Sequence, residues 1–145
     1  ISSVMIIQAA QCVKYSMIND AVYNGTNEPD NISFWDKGIM MSNYPGYEHV
    51  KLLVHHRDLK HLMTPQHLIE FNLNDVEYSQ RNPLSNKYNE ADISYPVFLR
   101  HDPTKQYKYL VMDGHTRVNK ALHQGLTTLT GYLFPYDKLN ELIPS

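Results

Sequence analysis

Apolar residues change their spacing several times along the chain, and each change predicts an element. Ile6, Ala10, Val13, Met17 and Ala21 recur at intervals of three and four, the repeat of one helix face. VMIIQ (4–8) would also suit a short strand, but the period continues through Ala21 and favours helix. NGTNEPDN (24–31) breaks the pattern with loop-forming residues. FWDKGIMMSNYPGYE (34–48) sets aromatics between Gly and Pro breaks and predicts irregular, partly packed chain. HVKLLVHH (49–56) predicts a strand. Thr64-Pro65 has the residue types that open a helix, Thr as N-cap and Pro at the first helical position, and predicts a short helix carrying Leu68, Ile69 and Phe71. From Asn72 to Asp92 polar residues dominate, with Asn82-Pro83 and Ser85-Asn86 marking a long loop of the kind that often forms lids or binding segments.

The last third of the chain is the most regular. YPVFLR (95–100) and YKYLVM (107–112) predict two strands joined by HDPTKQ, where Asp102-Pro103 supplies turn chemistry. After Asp113-Gly114 a helix is predicted, with Val118, Ala121 and Leu122 on one face and Gly125 at the left-handed position that ends helices. LTTLTGYLF (126–134) predicts another strand. PYDKLNELI (135–143) predicts a short amphipathic helix with Leu139, Leu142 and Ile143 facing inward. Strand, helix, strand pair, helix, strand, helix is an α+β or α/β order, and the fold expected is α+β, a small mixed sheet with flanking helices. No repeat or low-complexity tract suggests a boundary, so the reading is one domain over 1–145.

Composition narrows the class without naming a function. With 145 residues, 42% hydrophobic and 19% charged, the chain is globular in type and large enough for a core. No apolar run approaches the roughly 20 residues of a membrane span, and no basic segment precedes residues 4–10 as a signal peptide would require. The single cysteine, Cys12, excludes an internal disulfide and a cysteine-based zinc cluster, and its apolar neighbours predict a buried, inert thiol. A cytoplasmic setting is the expectation. The net charge of −2 argues against a domain that grips DNA by bulk electrostatics.

Chemistry concentrates in VMDGHTRVNKALHQG (111–125). A strand that turns through glycine into a helix leaves the first helical N–H groups unpaired and aimed outward, and the helix dipole adds partial positive charge. Such a turn suits an anion. Gly114 would let the backbone approach a phosphate, Arg117 could offer a forked contact, Thr116 could cap the helix or bind an oxygen, and His115 could donate a hydrogen bond or act as acid or base. Asp113 fits only with a metal ion or a ribose hydroxyl between its carboxylate and the phosphate. The plainer alternative is a β-to-α turn in which glycine makes the bend and Asp113 or Thr116 caps the helix. Spacing alone leaves both open.

YPVFLRHDPTKQYKYLVMDGHTRVNKALHQGLTTLTGYLF resembles the core of the ParB/sulfiredoxin superfamily. There a strand pair leads to a Gly-x-x-Arg turn, an Ala-rich helix, a glycine and a short strand. The matching pieces are Gly114-His115-Thr116-Arg117, Val118 to Gln124, and Gly125; the match extends loosely over 49–134 and leaves 1–48 as an N-terminal extension. The resemblance implies phosphate binding at the turn, with a nucleoside triphosphate or a nucleic acid as ligand. Sulfiredoxins carry cysteine after this glycine; His115 stands there, so sulfinate repair is not expected. ParB partition proteins usually carry Glu-Arg-Arg; the chain has His-Thr-Arg and lacks the glutamate tied to CTP turnover. What carries over is pocket and fold, in the manner of stand-alone ParB-like domains of phages and mobile elements, which have no helix-turn-helix after the core.

Two function classes follow. One is a nuclease or nucleoside triphosphatase assisted by Mg²⁺ or Mn²⁺, with Asp113 as metal ligand and His115 as acid or base. The other is a non-enzymatic module that binds nucleotide or a protein partner and regulates it. His55-His56-Arg57-Asp58 closes the first predicted core strand, which in the ParB-like arrangement lies near the pocket. Arg57 could then join the phosphate site and His55 the metal, although a polar strand exit is the simpler reading. Arg81-Asn82-Pro83 has the residue types of an upstream Asn-Pro-Arg segment that contacts nucleotide in ParB-like proteins, but in another order. Trp35 reads as a packed aromatic, and Arg100-His101-Asp102 as a solvated turn.

Overall fold

The computed structural model describes residues 32–105 and 108–144. The predicted helix through Ala21, the loop at 24–31 and Cys12 lie outside the described residues. The chain divides into two compact units: residues up to Leu68 together with Phe134 onward, and Ile69 to Leu133.

In the first unit, α1 (Ile32–Asp36) leads to β1 (Gly38–Met41), which pairs antiparallel with β2 (Leu52–His55). The segment 34–48 is therefore more ordered than its Gly and Pro breaks suggest. Its strand alternates, with Ile39 and Met41 buried and Met40 exposed, as a two-stranded sheet with one packed face requires. The short α2 (His56–Leu59) follows at once; the His55 N–H donates to Asp58 Oδ2 (3.0 Å) at its start. Thr64-Pro65 does open a helical turn, but only a single 3₁₀ turn over Pro65–His67, and the chain is extended again from Leu68. α5 (Tyr136–Asn140) packs in this unit as well: Leu139 is buried, and the Tyr44 hydroxyl donates to Asn140 Oδ1 (2.7 Å). Phe34 meets Trp35 edge to face at 4.9 Å, and the Lys60 ammonium lies 4.9 Å from the Trp35 ring centre, so Trp35 is a packed aromatic here.

The second unit is built on a five-stranded mixed sheet in the order β3-β7-β5-β6-β4. Its strands are β3 (Leu68–Asn72), β4 (Val76–Glu77), β5 (Val97–His101), β6 (Tyr109–Asp113) and β7 (Thr128–Leu133). β5 runs antiparallel to β6 and parallel to β7. It is the central strand, and Val97, Phe98, Leu99 and Arg100 are all buried, which is why its sequence reads as a continuous apolar run and not an alternation. The α+β class expected from the element order is what the structure shows. The predicted helix at 68–71 is instead strand β3. Leu68, Ile69 and Phe71 have enough β-branched and aromatic character for either state, and pairing against β7 decides it. The first predicted core strand also moves: Leu52–His55 belongs to the two-stranded sheet and not to the five-stranded one.

Between β4 and β5 the polar stretch contains one short helix, α3 (Asn86–Glu90), capped by Ser85, whose Oγ accepts from the Tyr88 N–H (3.1 Å). α4 (His115–His123) follows β6 and packs Val118 and Ala121 onto a core of Phe71, Leu73, Val76, Val97, Leu99, Val111 and Leu129. It ends as its sequence predicts. Gly125 has φ +81°, its N–H donates to Leu122 O (3.0 Å), and the Leu126 N–H reaches Ala121 O (3.0 Å), the paired bonds of a Schellman end. No helix among the described residues is long and apolar enough to cross a membrane.

Arg100-His101-Asp102 corrects the expectation of a solvated turn. Arg100 and Asp102 are buried and only His101 is exposed. Asp102 Oδ1 accepts from the Thr104 N–H (2.8 Å) and Oγ1 (2.7 Å), which fixes the turn and holds the carboxyl below its usual range.

Candidate functional site

The turn at 113–117 is shaped by one glycine. Gly114 has φ +105° and ψ 20°, a left-handed conformation at the N-cap of α4. A Cβ there would lie 2.6 Å from Val97 Cγ1, so the residue is small both for its torsion and for the strand beneath it. The Gly114 carbonyl accepts the first helical bond, from the Val118 N–H (3.1 Å). Asp113, at the end of β6, stands opposite Phe98, while Leu99 stands opposite Val111; the register slips by one residue between them. Bulges of this kind re-aim side chains at strand ends.

His115 opens the helix and is half-buried. Its Nδ1 accepts the Ser79 backbone N–H (3.0 Å). A backbone amide can only donate, so Nδ1 is unprotonated and the ring proton of the neutral form sits on Nε2. Burial pushes the His115 pKa down, the nearby Arg81 guanidinium pushes it further down, and Asp113 pulls it back up. The ring is thus held neutral, with Nε2–H as its donor.

Arg81 comes to this end of the helix by way of Asn119, which sequence reading passed over. Asn119 is buried; its Oδ1 accepts the Arg81 N–H (3.1 Å), and its Nδ2 donates to Ser79 O (2.9 Å) and His115 O (2.7 Å). The signal was present: Asn119 follows His115 by four residues and shares the stripe of Val118 and Leu122, where an amide needs partners. Ser79 acts through its backbone, and no side-chain pattern could have marked it.

Arg117, the expected phosphate fork, is engaged within the protein. Its guanidinium donates to Pro96 O (3.0 Å) and lies 5.2 Å from the Tyr95 ring centre, so it holds the start of β5 against the helix. Thr116 is half-buried in the first turn of α4. Arg57 and His55 belong to the first unit, where Arg57 pairs with Asp36 and His55 contacts Asp58 through both backbone N–H and ring. Among the described residues, no three His, Cys, Asp or Glu side chains converge as a metal-holding group.

The second unit thus brings together a helix N-terminus and the Nε2–H donor of His115, with the Arg81 guanidinium and the Asp113 carboxylate near enough to act on the ring; Arg81 Nη1 donates to Gln80 O (3.1 Å). This arrangement can accept an oxyanion, and it offers donors in more than one direction.

No protein-family model and no curated protein matches the chain. Among solved structures it is similar to the C-terminally truncated chromosome-partitioning protein ParB from Caulobacter crescentus. Against the complex with CTP-γ-S the identity is 18% and the TM-score 0.38, covering 52% of each chain. Against the complex with the centromeric parS site the identity is 17% and the TM-score 0.34, covering 46% of this chain and 37% of the other. The chain spans about half the length of these partition proteins or less.

Proposed function

We propose that the chain is a ParB-like domain that binds the phosphate groups of a nucleotide or nucleic acid at the turn 113–117. The observation that carries this reading is the left-handed Gly114 opening α4 at His115, with the Arg81 backbone fastened to Asn119 of the same helix. The Gly-x-x-Arg turn and the order of elements around it support the same reading from the sequence. Backbone N–H groups of the first helical turn bind phosphate oxygens, the Nε2–H of His115 donates to one of them, and Arg81 supplies the forked cationic contact. Arg117 supports this end of the helix through Pro96 and Tyr95, and Thr116 offers a hydroxyl.

The function is binding, with hydrolysis as the finer alternative. Asp113 is one carboxylate, too few for a protein-built metal cage, but enough to take part in holding Mg²⁺ or Mn²⁺ that arrives on phosphates. For His115 to move a proton through Nδ1 it must first give up the Ser79 N–H, whereas donation from Nε2 needs no rearrangement.

Titration with CTP, ATP and GTP, with and without Mg²⁺, tests the reading by thermal shift and calorimetry. At least one nucleotide stabilises the domain, and Arg81→Ala weakens it about 10- to 100-fold, the worth of one charge-assisted contact of roughly 1.5–3 kcal/mol. Absence of binding by any nucleotide or by a short single strand overturns it. Product release or plasmid nicking lost in Asp113→Asn selects the hydrolase; binding without turnover selects the module.

A further inference from the structure

Residues 79–91 lie over α4, yet not one of them is buried, and α3 within them has no buried residue. Its only ring contacts are those of half-buried Tyr88 with His123 and Lys120, and the core-packed Tyr78 and Ile93 lie outside it on either side. What holds it is a row of side chains from one helix. His115 Nδ1 takes the Ser79 N–H, and Asn119 bonds Ser79 O and the Arg81 N–H. Lys120 Nζ donates to Asn89 O (3.1 Å) and Ala91 O (2.8 Å), and the Tyr88 hydroxyl bonds His123 Nδ1 (2.6 Å). The bonds at Lys120 and His123 are near water, but Asn119 is 2% exposed, and its three bonds replace water that cannot reach it. A segment fastened mainly by hydrogen bonds, with no fully buried side chain, belongs to the low-stability end of a fold, where local opening precedes global unfolding.

We propose that residues 79–91 form a strap that opens as a unit from α4 while the sheet stays folded, with Asn119 as the clasp that sets how often it opens. Opening carries Arg81 away from His115 and uncovers the start of the helix. On the phosphate-binding reading, on which this clause alone rests, the strap is the cover of the site, and Asn119 is a positioning residue for Arg81.

Hydrogen exchange read amide by amide tests the strap without any ligand. In the native protein the Ser79 and Arg81 amides exchange at least 10-fold faster than those of Leu99 and Val111 in the sheet. Asn119→Ala accelerates the whole strap about 10-fold relative to the sheet; Asn119→Asp, which keeps the acceptor for Arg81 but turns a carboxylate oxygen toward Ser79 O and His115 O, accelerates it at least as much. Lys120→Met, at the far end, also accelerates exchange as far as Arg81, because the strap opens as one piece. Exchange of strap and sheet at one common rate overturns the proposal, and so does a Lys120→Met effect confined to 89–91. Inorganic pyrophosphate slows strap exchange; pyrophosphate bound without slowing it overturns the cover. If pyrophosphate does not bind, the phosphate reading fails, while the clasp stands or falls on the rates measured without it.

Discussion

Gly114 and Gly125 both have positive φ, but their surroundings set different costs for a side chain. Gly125 has nothing within 4 Å of its Cβ direction, so Gly125→Ala meets only the left-handed penalty of roughly 1–2 kcal/mol. Gly114→Ala meets the same penalty and also drives a methyl into Val97, where overpacking adds about 1–3 kcal/mol. Urea denaturation should rank Gly114→Ala clearly below Gly125→Ala, and Val97→Ala should recover part of the difference for Gly114→Ala only. Two histidines give a pH dependence. His67 is held below the ordinary value of 6.5 by burial first, then by Lys138 and His61, against a bond at Leu62 and the charge of Asp137. His115 is held down by burial and then Arg81, against Asp113. Lowered values mean that the unfolded chain binds these protons first. Stability is therefore full above the ordinary histidine range and falls as pH drops from about 6.5 toward the folded values. His115→Gln should flatten part of the acid limb of a stability-against-pH curve measured by chemical denaturation; an unchanged limb would assign it to other groups.

At the scale of elements, α4 does two jobs with two faces. Val118 and Ala121 join the core below, while His115, Arg117, Asn119, Lys120 and His123 bind the chain that crosses the helix. The apolar half was legible in the sequence, as were the Gly125 end, the β5–β6 pair and β7, since each rests on local periodicity or turn chemistry. The other half was not. Asn119, Lys120 and His123 carried no reading in the sequence, yet with His115 and Arg117 they bond groups up to 40 residues away, backbone in every case except the Tyr88 hydroxyl at His123. β3 shows the same limit, because a Thr-Pro start and a few apolar residues cannot tell a strand from a short helix without the neighbouring strand. Arg117→Ala removes the Pro96 bond and the Tyr95 contact, so it should cost about 1–2 kcal/mol of stability in urea. Arg81→Ala, which removes an exposed-side guanidinium and leaves the Asn119 bond to its backbone, should cost less stability and more affinity.

For the whole molecule, 13 Lys and Arg against 15 Asp and Glu leave no general attraction for a polyanion. Binding has to come from few, well-placed contacts. If one or two phosphates of a single strand are neutralised by Arg81 and the helix start, log K should fall with log salt at a slope of about −0.7 to −1.4. A much steeper slope, measured by fluorescence anisotropy, would require a second cationic surface.

The sequence by itself determined the α+β class, the strand pair, and a glycine turn leading into a helix with a defined end. These are local matters of period, torsion and capping. It also placed His115 in that turn. Only the tertiary structure decided what stands around it. Asn119 folds Ser79 and Arg81 onto the helix, Arg117 turns to Pro96, and a backbone amide from another segment fixes the tautomer of His115. Hydrogen-bond partners far apart in the chain leave no periodic trace, so the surroundings of the turn and the tautomer of its histidine emerge only when the chain has folded.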